Sequence, residues 1–411
     1  AINATNGKII WKSPKLAPEG IGYHVVNPPI VWNNYVIAGS AGGDLPTEEG
    51  KVTGNVTALN RTNGEILWNF KTTVGDWVKK GKTPPNGGAT TWSGGSFDPQ
   101  KGILYIPAGN PTPDFDISTR PLPNEYSNNM LAINITNGKL LWHTPFVAAG
   151  TVLDVPLPNA TAYDWDTAWG SHLVTISSDN DSNMKVVIGH NKRGDIIAMD
   201  AATGEPIWTK NVAVTYHNNV LPGLPPNGSG PVWPGTQYGI EDYSATSLDN
   251  KSLYVAVSNM GFNFFLTNKT SHEGYLSPMI DQIKNGVGNG SIISIDIATG
   301  KTNWEHPTEF PTWVSPVVSN GLVFSGHITD IGKPYTVNVF GAPISTPLSP
   351  SGIILALDET TGDKLWEFNV GAPIGIGGPS IGDGMLLVPT SVTAEIHTHK
   401  AGTVFAFGLP E

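Results

Sequence analysis

Six copies of one eleven-residue pattern run along this chain of 411 residues, and they restrict its fold more than any other feature of the sequence. Each copy has a small residue, an apolar residue and Asn or Asp, then two residues, Asn or Thr, Gly and, four residues after that Gly, Trp. The pattern predicts a strand end, a tight turn in which Gly takes a positive φ, and a return strand whose Trp covers an interface. The copies occupy residues 1–11, 58–68, 132–142, 198–208, 294–304 and 356–366.

The spacing of the repeat tryptophans indicates how much structure each repeat contains. The intervals are 57, 74, 66, 96 and 62 residues, enough for a four-stranded sheet with its loops, and further hairpins are predicted at 29–39 and 316–326. Four-stranded antiparallel sheets repeated around an axis are how a β-propeller avoids exposed edge strands. We therefore predict an all-β fold, a single propeller domain over 1–411. The repeat tryptophans are then structural residues between blades: Trp11, Trp68, Trp142, Trp208, Trp304 and Trp366.

The composition agrees with short strands and turns, and it excludes several classes of function. Gly (48) and Pro (34) are abundant, charged residues make up only 14%, and no run shows helical periodicity. A net charge of -11 without basic clusters argues against nucleic acid or an anionic membrane surface as a partner. No apolar segment is long enough to span a membrane. The absence of Cys excludes disulfides, thiolate metal sites and cysteine nucleophiles.

Ten Asn-x-Ser/Thr sequons favour an exported protein, extracellular or periplasmic, that carries N-glycans. The chain begins without a charged-then-apolar signal sequence, so we expect any leader to have been removed. The sequons begin at Asn3, Asn55, Asn60, Asn134, Asn159, Asn180, Asn227, Asn250, Asn268 and Asn289.

The stretch from Gly87 to Asn110 holds a candidate binding site outside the repeat pattern. Small residues around Trp92 predict that one indole face is uncovered, as a planar ligand needs for stacking. The side-chain oxygen of Asn110 suits a hard cation such as calcium. The alternative is that Trp92 is ordinary core packing and that Asn110, which precedes Pro111, is ordinary turn chemistry.

The repeat and the 87–110 stretch together resemble the quinoprotein alcohol dehydrogenases, over essentially the whole chain. In that family an eight-bladed propeller holds pyrroloquinoline quinone (PQQ) and a metal ion in its central channel. A tryptophan stacks under the quinone, and a metal-binding asparagine follows eighteen residues later. Trp92 and Asn110 keep that spacing, and Thr90 stands where the family has a quinone-contacting threonine. The resemblance therefore implies a quinone site at Trp92 and Thr90 and a metal ligand at Asn110.

Two acidic residues match further positions of the resemblance. The family's Gly-Ser-x-Gly-x-Glu segment supplies a metal-binding Glu, and residues 39–44 here end in Asp44, one methylene shorter and followed by an insertion. The family's Trp-Asp pair, whose Asp is the proposed catalytic base and also binds the metal, corresponds to Trp165-Asp166. Lanthanide-using relatives have another Asp two residues later, where this chain has Ala168, so calcium is implied. Taken alone, Asp166 would also fit an Asx-turn.

A basic residue completes the set. The family places Arg or Lys against the quinone oxygens just before a strand glycine; Lys192 aligns best and Arg193 is the alternative, with a solvated pair of charges as the interpretation without a ligand. Two features of the family are absent. The adjacent-cysteine disulfide of its methanol-oxidising branch cannot form, and Thr53 replaces the Arg of a Val-Arg-Gly segment.

The two ends of the chain leave the number of blades open. Residues 402–408 resemble one more strand of the repeat without its Trp, whereas residue 1 lies inside a repeat. Either the strand at 7–11 closes a six-bladed ring beside that C-terminal strand, or the eight blades of the family apply and about two N-terminal blades are not part of this chain. The order of the matched positions favours eight.

The resemblance implies a PQQ-dependent dehydrogenase that oxidises an alcohol or sugar hydroxyl. In it, calcium held by Asp44, Asn110 and Asp166 polarises the quinone, Asp166 is the general base, and Lys192 stabilises the reduced quinone. An exported enzyme of this kind would need an electron acceptor such as a cytochrome, a copper protein or a membrane quinone. The alternative function is a cofactor-free propeller that serves as an extracellular binding or scaffold protein.

Overall fold

The structure is a computed structural model, and the part of the chain that it describes consists of strands, turns and loops without a helix. No helix in this part has the length and apolarity needed to cross a membrane. The described residues are 1–16, 23–42, 53–73, 87–112, 126–146, 165–177, 183–214, 229–234, 238–260, 262–265, 288–330, 335–339, 342–346, 350–374, 377–390 and 402–408.

Six antiparallel sheets of the described residues form the blades, five with four strands and one with three. Blade 1 contains β1 (Ile30–Trp32), β2 (Tyr35–Ala38), β3 (Asn55–Asn60) and β4 (Ile66–Lys71), and blade 2 contains β6 (Ser96–Asp98), β7 (Ile103–Ala108), β9 (Asn129–Asn134) and β10 (Leu140–Pro145). Blade 3 contains β11 (Thr167–Ser177), β12 (Asn183–Asn191), β13 (Asp195–Asp200) and β14 (Pro206–Asn211), and blade 4 contains β16 (Ala245–Thr246), β17 (Ser252–Asn259), β19 (Asn289–Asp296) and β20 (Thr302–Thr308). Blade 5 contains β21 (Val314–Ser319), β22 (Leu322–Asp330), β25 (Pro350–Asp358) and β26 (Lys364–Asn369), and blade 6 contains β27 (Ser380–Gly382), β28 (Met385–Thr390) and β29 (Thr403–Gly408).

Three small ladders lie outside the blades. Each is an antiparallel pair of short strands in a connection between blade strands. They are β5 (Gly87–Gly88) with β8 (Pro111–Thr112), β15 (Ser229–Val232) with β18 (Phe262–Phe265), and β23 (Tyr335–Val339) with β24 (Ala342–Thr346). The predicted all-β propeller of four-stranded blades is confirmed.

The repeat tryptophans dock each blade on the next one, as the pattern predicts. The Trp142 indole donates its N–H to the carbonyl of Ala201 at 3.2 Å and covers the turn glycine Gly204 of the following repeat. Trp208 repeats this contact with Ile297 and Gly300. Two features of the turn therefore require glycine: its φ is positive, and a Cβ at this position would overlap the indole.

Apolar strands fill the space between neighbouring blades. Between blades 3 and 4, Val174 and Ile188 pack in one buried cluster with Leu253 and Val255. Strand β17 reads as a nearly continuous apolar run because both of its faces are buried. Burying one such side chain fully stabilises the fold by about 1.5–3 kcal/mol, so these contacts contribute to the stability of the propeller.

The two chain ends do not pair with each other within the described residues. Residues 1–11 form their own hairpin, with a bridge between Ile2 and Ile9, and β29 pairs with β28. Trp11 docks on the turn of blade 1, donating its indole N–H to the carbonyl of Arg61 at 2.9 Å. The N-terminal hairpin thus occupies the place of a preceding repeat beside blade 1.

One predicted glycan position lies inside the fold. Asn55 is fully buried on β3, and its backbone N–H donates to Ser40 Oγ at 2.8 Å. A glycan cannot reach this side chain in the folded chain, so the sequon at Asn55 is a chance match.

Candidate functional site

The candidate site is built from the segments that lead into successive blades. Trp92 lies just before the first strand of blade 2, Asp166 directly before the first strand of blade 3, and Glu241 shortly before the first strand of blade 4. Lys192 directly follows β12 of blade 3. Residues that are far apart in the sequence meet here because each blade begins at the same end of the assembly.

Asp166 receives both of its close polar contacts from residues that the sequence analysis selected. Trp92 Nε1 donates to Asp166 Oδ2 at 3.1 Å, across 74 residues of sequence. Lys192 Nζ lies 2.9 Å from Asp166 Oδ1, and the same ammonium is 5.9 Å from the centroid of the Trp92 ring, within cation–π range. The three side chains therefore form one cluster of a carboxylate, a cation and an aromatic ring.

Burial makes these contacts strong. The side chains of Asp166 and Lys192 are 7% and 9% exposed, and ion pairs shielded from water are weakened little by salt. Removing one partner of such a pair typically costs about 3–5 kcal/mol because the other charge stays buried.

Glu241 brings a second carboxylate to the same lysine. Its Oε1 lies 3.8 Å from Lys192 Nζ, and its side chain is 6% exposed. The segment that carries Glu241 passes directly over the backbone of Lys192, where a Cβ on Gly239 would lie 1.9 Å from the Lys192 carbonyl oxygen. Only a glycine allows this close approach.

Gly109 leaves room for the contact between Trp92 and Asp166. A Cβ at this position would lie 2.9 Å from Asp166 Oδ2 and 3.2 Å from Trp92 Nε1. Gly109 is held by a hydrogen bond from its N–H to the carbonyl of Thr90 at 2.9 Å. The glycine is therefore part of the wall of the site.

The remaining predicted site residues have different outcomes. Thr90 and Asn110 are both buried next to this wall, and Ala89 donates its backbone N–H to the carbonyl of Asn110 at 2.6 Å. Arg193, the alternative to Lys192, has its Nε 3.6 Å from Asp195, so Lys192 is the basic residue that reaches Asp166. Asp44 lies outside the described residues.

An aromatic group that the sequence analysis missed adjoins Trp92. Trp169 meets the Trp92 ring edge to face, with centroids 4.6 Å apart, and Tyr243 meets Trp169 in the same way at 5.3 Å. The register of β11 against β12 shifts between Ala168 and His172, and Trp169 has a φ of 66°. Such a bulge beside a site commonly redirects a side chain, here that of Trp169. The left-handed backbone conformation of this bulky residue is strained.

Asp242 ties three blades together behind this group. Its Oδ1 accepts hydrogen bonds from Ser315 Oγ at 3.1 Å and from the backbone N–H of Gly377 at 2.9 Å. Complete burial raises the pKa of Asp242 well above its usual range, outweighing these two hydrogen bonds. Burial thus disfavours the charged form of this carboxyl.

The site residues that the sequence analysis missed share a position in the repeat. They stand within a few residues of the first strand of a blade or at its beginning, as Trp92 and Asp166 do. They are Glu241, Asp242, Trp169 and Tyr243. Once the blades are counted, polar and aromatic residues at these positions are candidates for the shared site.

The arrangement can bind a flat anionic ligand and a hard cation. Trp92 offers an aromatic ring, Lys192 a cation for carboxylate or carbonyl oxygens, and Asp166 and Asn110 offer the oxygen atoms that calcium prefers. Asp166 can in addition accept a proton from a hydroxyl group held beside it.

Comparison with known proteins shows that the chain is similar to dehydrogenases that contain a β-propeller domain. Residues 1–220 match the PQQ family model described as "Glucose/ethanol/alcohol dehydrogenase, beta-propeller domain". The quinoprotein alcohol dehydrogenase PedH of Pseudomonas putida is 26% identical over 438 residues, covering 92% of this chain and 64% of PedH. A quinoprotein ethanol dehydrogenase of Pseudomonas putida is 24% identical, with 91% of this chain and 64% of the relative covered. The chain thus spans just under two thirds of the length of both relatives.

Solved structures agree on the fold. The quinohemoprotein alcohol dehydrogenase ADHIIG of Pseudomonas putida HK5 superposes with a TM-score of 0.69 at 21% identity, over 94% of this chain and 58% of that one. A europium-containing methanol dehydrogenase superposes with a TM-score of 0.67 at 21% identity, over 95% of this chain and 69% of that one. At this level of identity the two structures support the propeller fold alone.

Proposed function

The chain belongs to the family of glucose, ethanol and alcohol dehydrogenase β-propeller domains, and from this premise we propose that it is a PQQ-dependent dehydrogenase that oxidises an alcohol or sugar hydroxyl. The predicted relation to the quinoprotein alcohol dehydrogenases is confirmed by the family match and by the relatives. One observation carries the proposal: Trp92 and Lys192, which the sequence analysis selected together with Asp166, both contact Asp166 within 3.1 Å although the three residues are far apart in the sequence.

The residues present fit PQQ and calcium by their chemistry. PQQ is planar and anionic, which suits the aromatic ring of Trp92 and the ammonium of Lys192. Calcium takes carboxylate and amide oxygens, which Asp166 and Asn110 offer. Asp44 would add a second carboxylate. When bound, PQQ would supply the hydride acceptor and calcium a Lewis acid beside it.

The chain's own residues account for the rest of the chemistry. Oxidation of an alcohol to a carbonyl compound removes a hydride from carbon and a proton from oxygen. Asp166 accepts this proton at its carboxylate, which Trp92 orients through its indole N–H. Lys192 stabilises negative charge that develops on neighbouring oxygen atoms, and its burial strengthens this effect.

The setting of the enzyme follows from the same proposal. An alcohol oxidised by this route delivers two electrons, so the protein needs a cytochrome, a copper protein or a membrane quinone as acceptor. We place it outside the cytoplasm, extracellular or periplasmic, on the strength of its sequons.

A calorimetric titration with PQQ tests the proposal. The metal-stripped protein is titrated with PQQ with and without calcium, and we expect binding that requires calcium. Trp92→Ala should weaken it at least about fivefold, since losing one aromatic stacking contact costs about 1–3 kcal/mol. Trp366→Ala, which changes a repeat tryptophan on blade 5, is the matched control and should leave the affinity unchanged. A folded protein that gives no heat with or without calcium would favour the cofactor-free scaffold instead.

A further inference from the structure

The hydrogen bond between Trp92 and Asp166 holds one edge of the Trp92 ring but does not by itself fix the plane of that ring. The indole N–H donates to Asp166 Oδ2 at 3.1 Å. One hydrogen bond sets the distance and direction of the edge, while the ring can still turn about the line between the two atoms. A planar ligand stacks well only on a ring whose plane is set. A second contact on the Trp92 ring would provide this.

Trp169 makes a contact of that kind. Its ring meets the Trp92 ring at 85°, with the centroids 4.6 Å apart, which is the edge-to-face arrangement that aromatic pairs prefer. A single perpendicular ring can cover no more than one face of Trp92. Trp169 therefore restrains the ring and leaves the opposite face to a planar ligand.

A closed chain of contacts holds Trp169 in turn. Tyr243 meets its ring at 76°, with the centroids 5.3 Å apart. The Tyr243 hydroxyl donates to the carbonyl of Ser93 at 2.9 Å, and the backbone N–H of Gly170 donates to Ser93 Oγ at 3.2 Å. Ser93 and Gly170 each directly follow one of the two tryptophans. The pair is thus joined through its backbone neighbours as well as through its rings.

The conformation of Trp169 indicates that its ring is placed for this contact. Its φ of 66° lies in the left-handed region that bulky residues avoid, and the register of β11 shifts beside it. Its Nε1 is buried without a hydrogen-bond partner in the described part of the chain, which also costs stability. Backbone strain persists only where the surroundings impose it, and it is concentrated at ligand sites. Two costs at one residue therefore point to a ring whose position matters.

We propose that Trp169 is a positioning residue that fixes the plane of the Trp92 ring for a stacked planar ligand. The inference rests on the proposed function, because the ligand is PQQ. Trp169 acts through Trp92 and needs no contact of its own with the cofactor.

A double-mutant cycle tests this assignment. PQQ is titrated by calorimetry, in the presence of calcium, into the natural sequence, Trp169→Leu, Trp92→Ala and the double variant. We expect Trp169→Leu to lower the PQQ affinity about fivefold in the natural background, as the loss of one edge-to-face pair would. In the Trp92→Ala background the same change should have an effect of about twofold or less, because the ring that Trp169 positions is gone. Lys192 remains in that background, so we expect its weaker binding to be measurable.

Controls separate positioning from support of the fold. Phe407→Leu removes a ring that meets Trp366 edge to face at 5.2 Å on blades 5 and 6, and it should leave the PQQ affinity unchanged. Trp169→Phe keeps an aromatic ring and should recover part of the affinity that Trp169→Leu loses. Thermal unfolding of each variant checks the fold. Tyr243→Leu, which removes the ring packed on Trp169, replaces Trp169→Leu in the cycle if that variant does not fold.

Three results would overturn the inference. An equal loss of affinity with and without Trp92 would mean that Trp169 does not act through Trp92. An unchanged affinity in Trp169→Leu would remove Trp169 from the site while leaving the proposed function intact. A natural sequence that is folded but binds no PQQ would overturn the proposed function and the inference with it.

Discussion

At the scale of single residues, the orientation of Asp166 depends on two contacts that differ in kind. The indole N–H of Trp92 is a fixed donor at the edge of a rigid ring, whereas the ammonium of Lys192 ends a flexible chain. The first contact therefore sets the direction of the carboxylate, and the second sets its charge environment. A change that disturbs the first without touching either side chain should reveal how much the orientation matters.

Gly109→Ala is such a change. The added Cβ would stand 2.9 Å from Asp166 Oδ2 and 3.2 Å from Trp92 Nε1, so the two side chains must move apart. We expect PQQ affinity and turnover each to fall at least about fivefold, the effect of an overpacking strain of about 1–3 kcal/mol placed at the site. Calorimetry and a dye-coupled alcohol oxidation assay measure the two quantities.

Gly382→Ala is the matched control, because a Cβ there has no heavy atom within 4 Å. The control should bind PQQ as the natural sequence does. Natural affinity in Gly109→Ala would show that the contact between Trp92 and Asp166 is not needed for binding.

The residues of this contact could be predicted from the sequence, Trp92 from its small neighbours and Asp166 and Lys192 from the family resemblance. Their contacts with one another could not. Trp92 and Asp166 are separated by 74 residues, and the hydrogen bond between them depends on how two blades are placed. Glu241 was missed because its signal, a position just before the first strand of a blade, is visible only once the blades have been counted. Its contact with Lys192 depends on the close approach of Gly239 to the lysine backbone.

At the scale of elements, the repeat turn unites two requirements in one glycine. In Gly204 the φ is 79°, and a Cβ would come 2.6 Å from the Trp142 ring. The sequence allowed the positive φ to be predicted from Asn-Gly and Thr-Gly turns. It did not show that the glycine of one repeat receives the tryptophan of the repeat before it, because that contact crosses between blades.

Substituting Gly204 and Gly321, which have the same φ, separates the cost of the positive φ from the cost of the indole contact. Gly321 also has a φ of 79°, but a Cβ there meets no heavy atom within 4 Å. Gly321→Ala should cost about 1–3 kcal/mol for the strained backbone alone. Gly204→Ala should cost about 1–3 kcal/mol more, because the Trp142 ring must also move.

Urea unfolding of the two variants measures the difference. Equal losses in stability would show that the indole contact contributes nothing and that the turn conformation alone explains the glycine of the repeat.

At the scale of the whole molecule, the blades meet through polar side chains as well as apolar cores. Asp242 joins blades 4, 5 and 6 through Ser315 and Gly377, and its raised pKa means that its contribution to stability is present at low pH and is lost as the pH rises toward the folded value. The histidines buried in blade 3 act in the opposite direction. The all-β propeller was predictable because its repeat is regular, whereas these buried titratable groups were not, since burial depends on packing between blades.

His172 and His190 make the folded chain sensitive to acid. Burial lowers the pKa of His172 to about 4 and that of His190 to about 3, from an ordinary value of 6.5. Below pH 6.5 both histidines bind protons in the unfolded chain but stay neutral in the folded chain. The free energy of unfolding therefore falls as the pH drops toward 4. Each histidine contributes a slope of up to about 1.4 kcal/mol per pH unit in this window.

His190→Leu isolates one of these slopes. His190 is 1% exposed, and neither ring nitrogen has a hydrogen-bond partner in the described part of the chain, so leucine removes two buried polar atoms without leaving another group unpaired. We expect the variant to be at least as stable as the natural sequence at pH 7.5 and to lose stability less steeply between pH 6.5 and 4. Urea unfolding at several pH values measures both, and because every other titrating group is common to the two proteins, an identical slope would show that His190 is protonated in the folded chain.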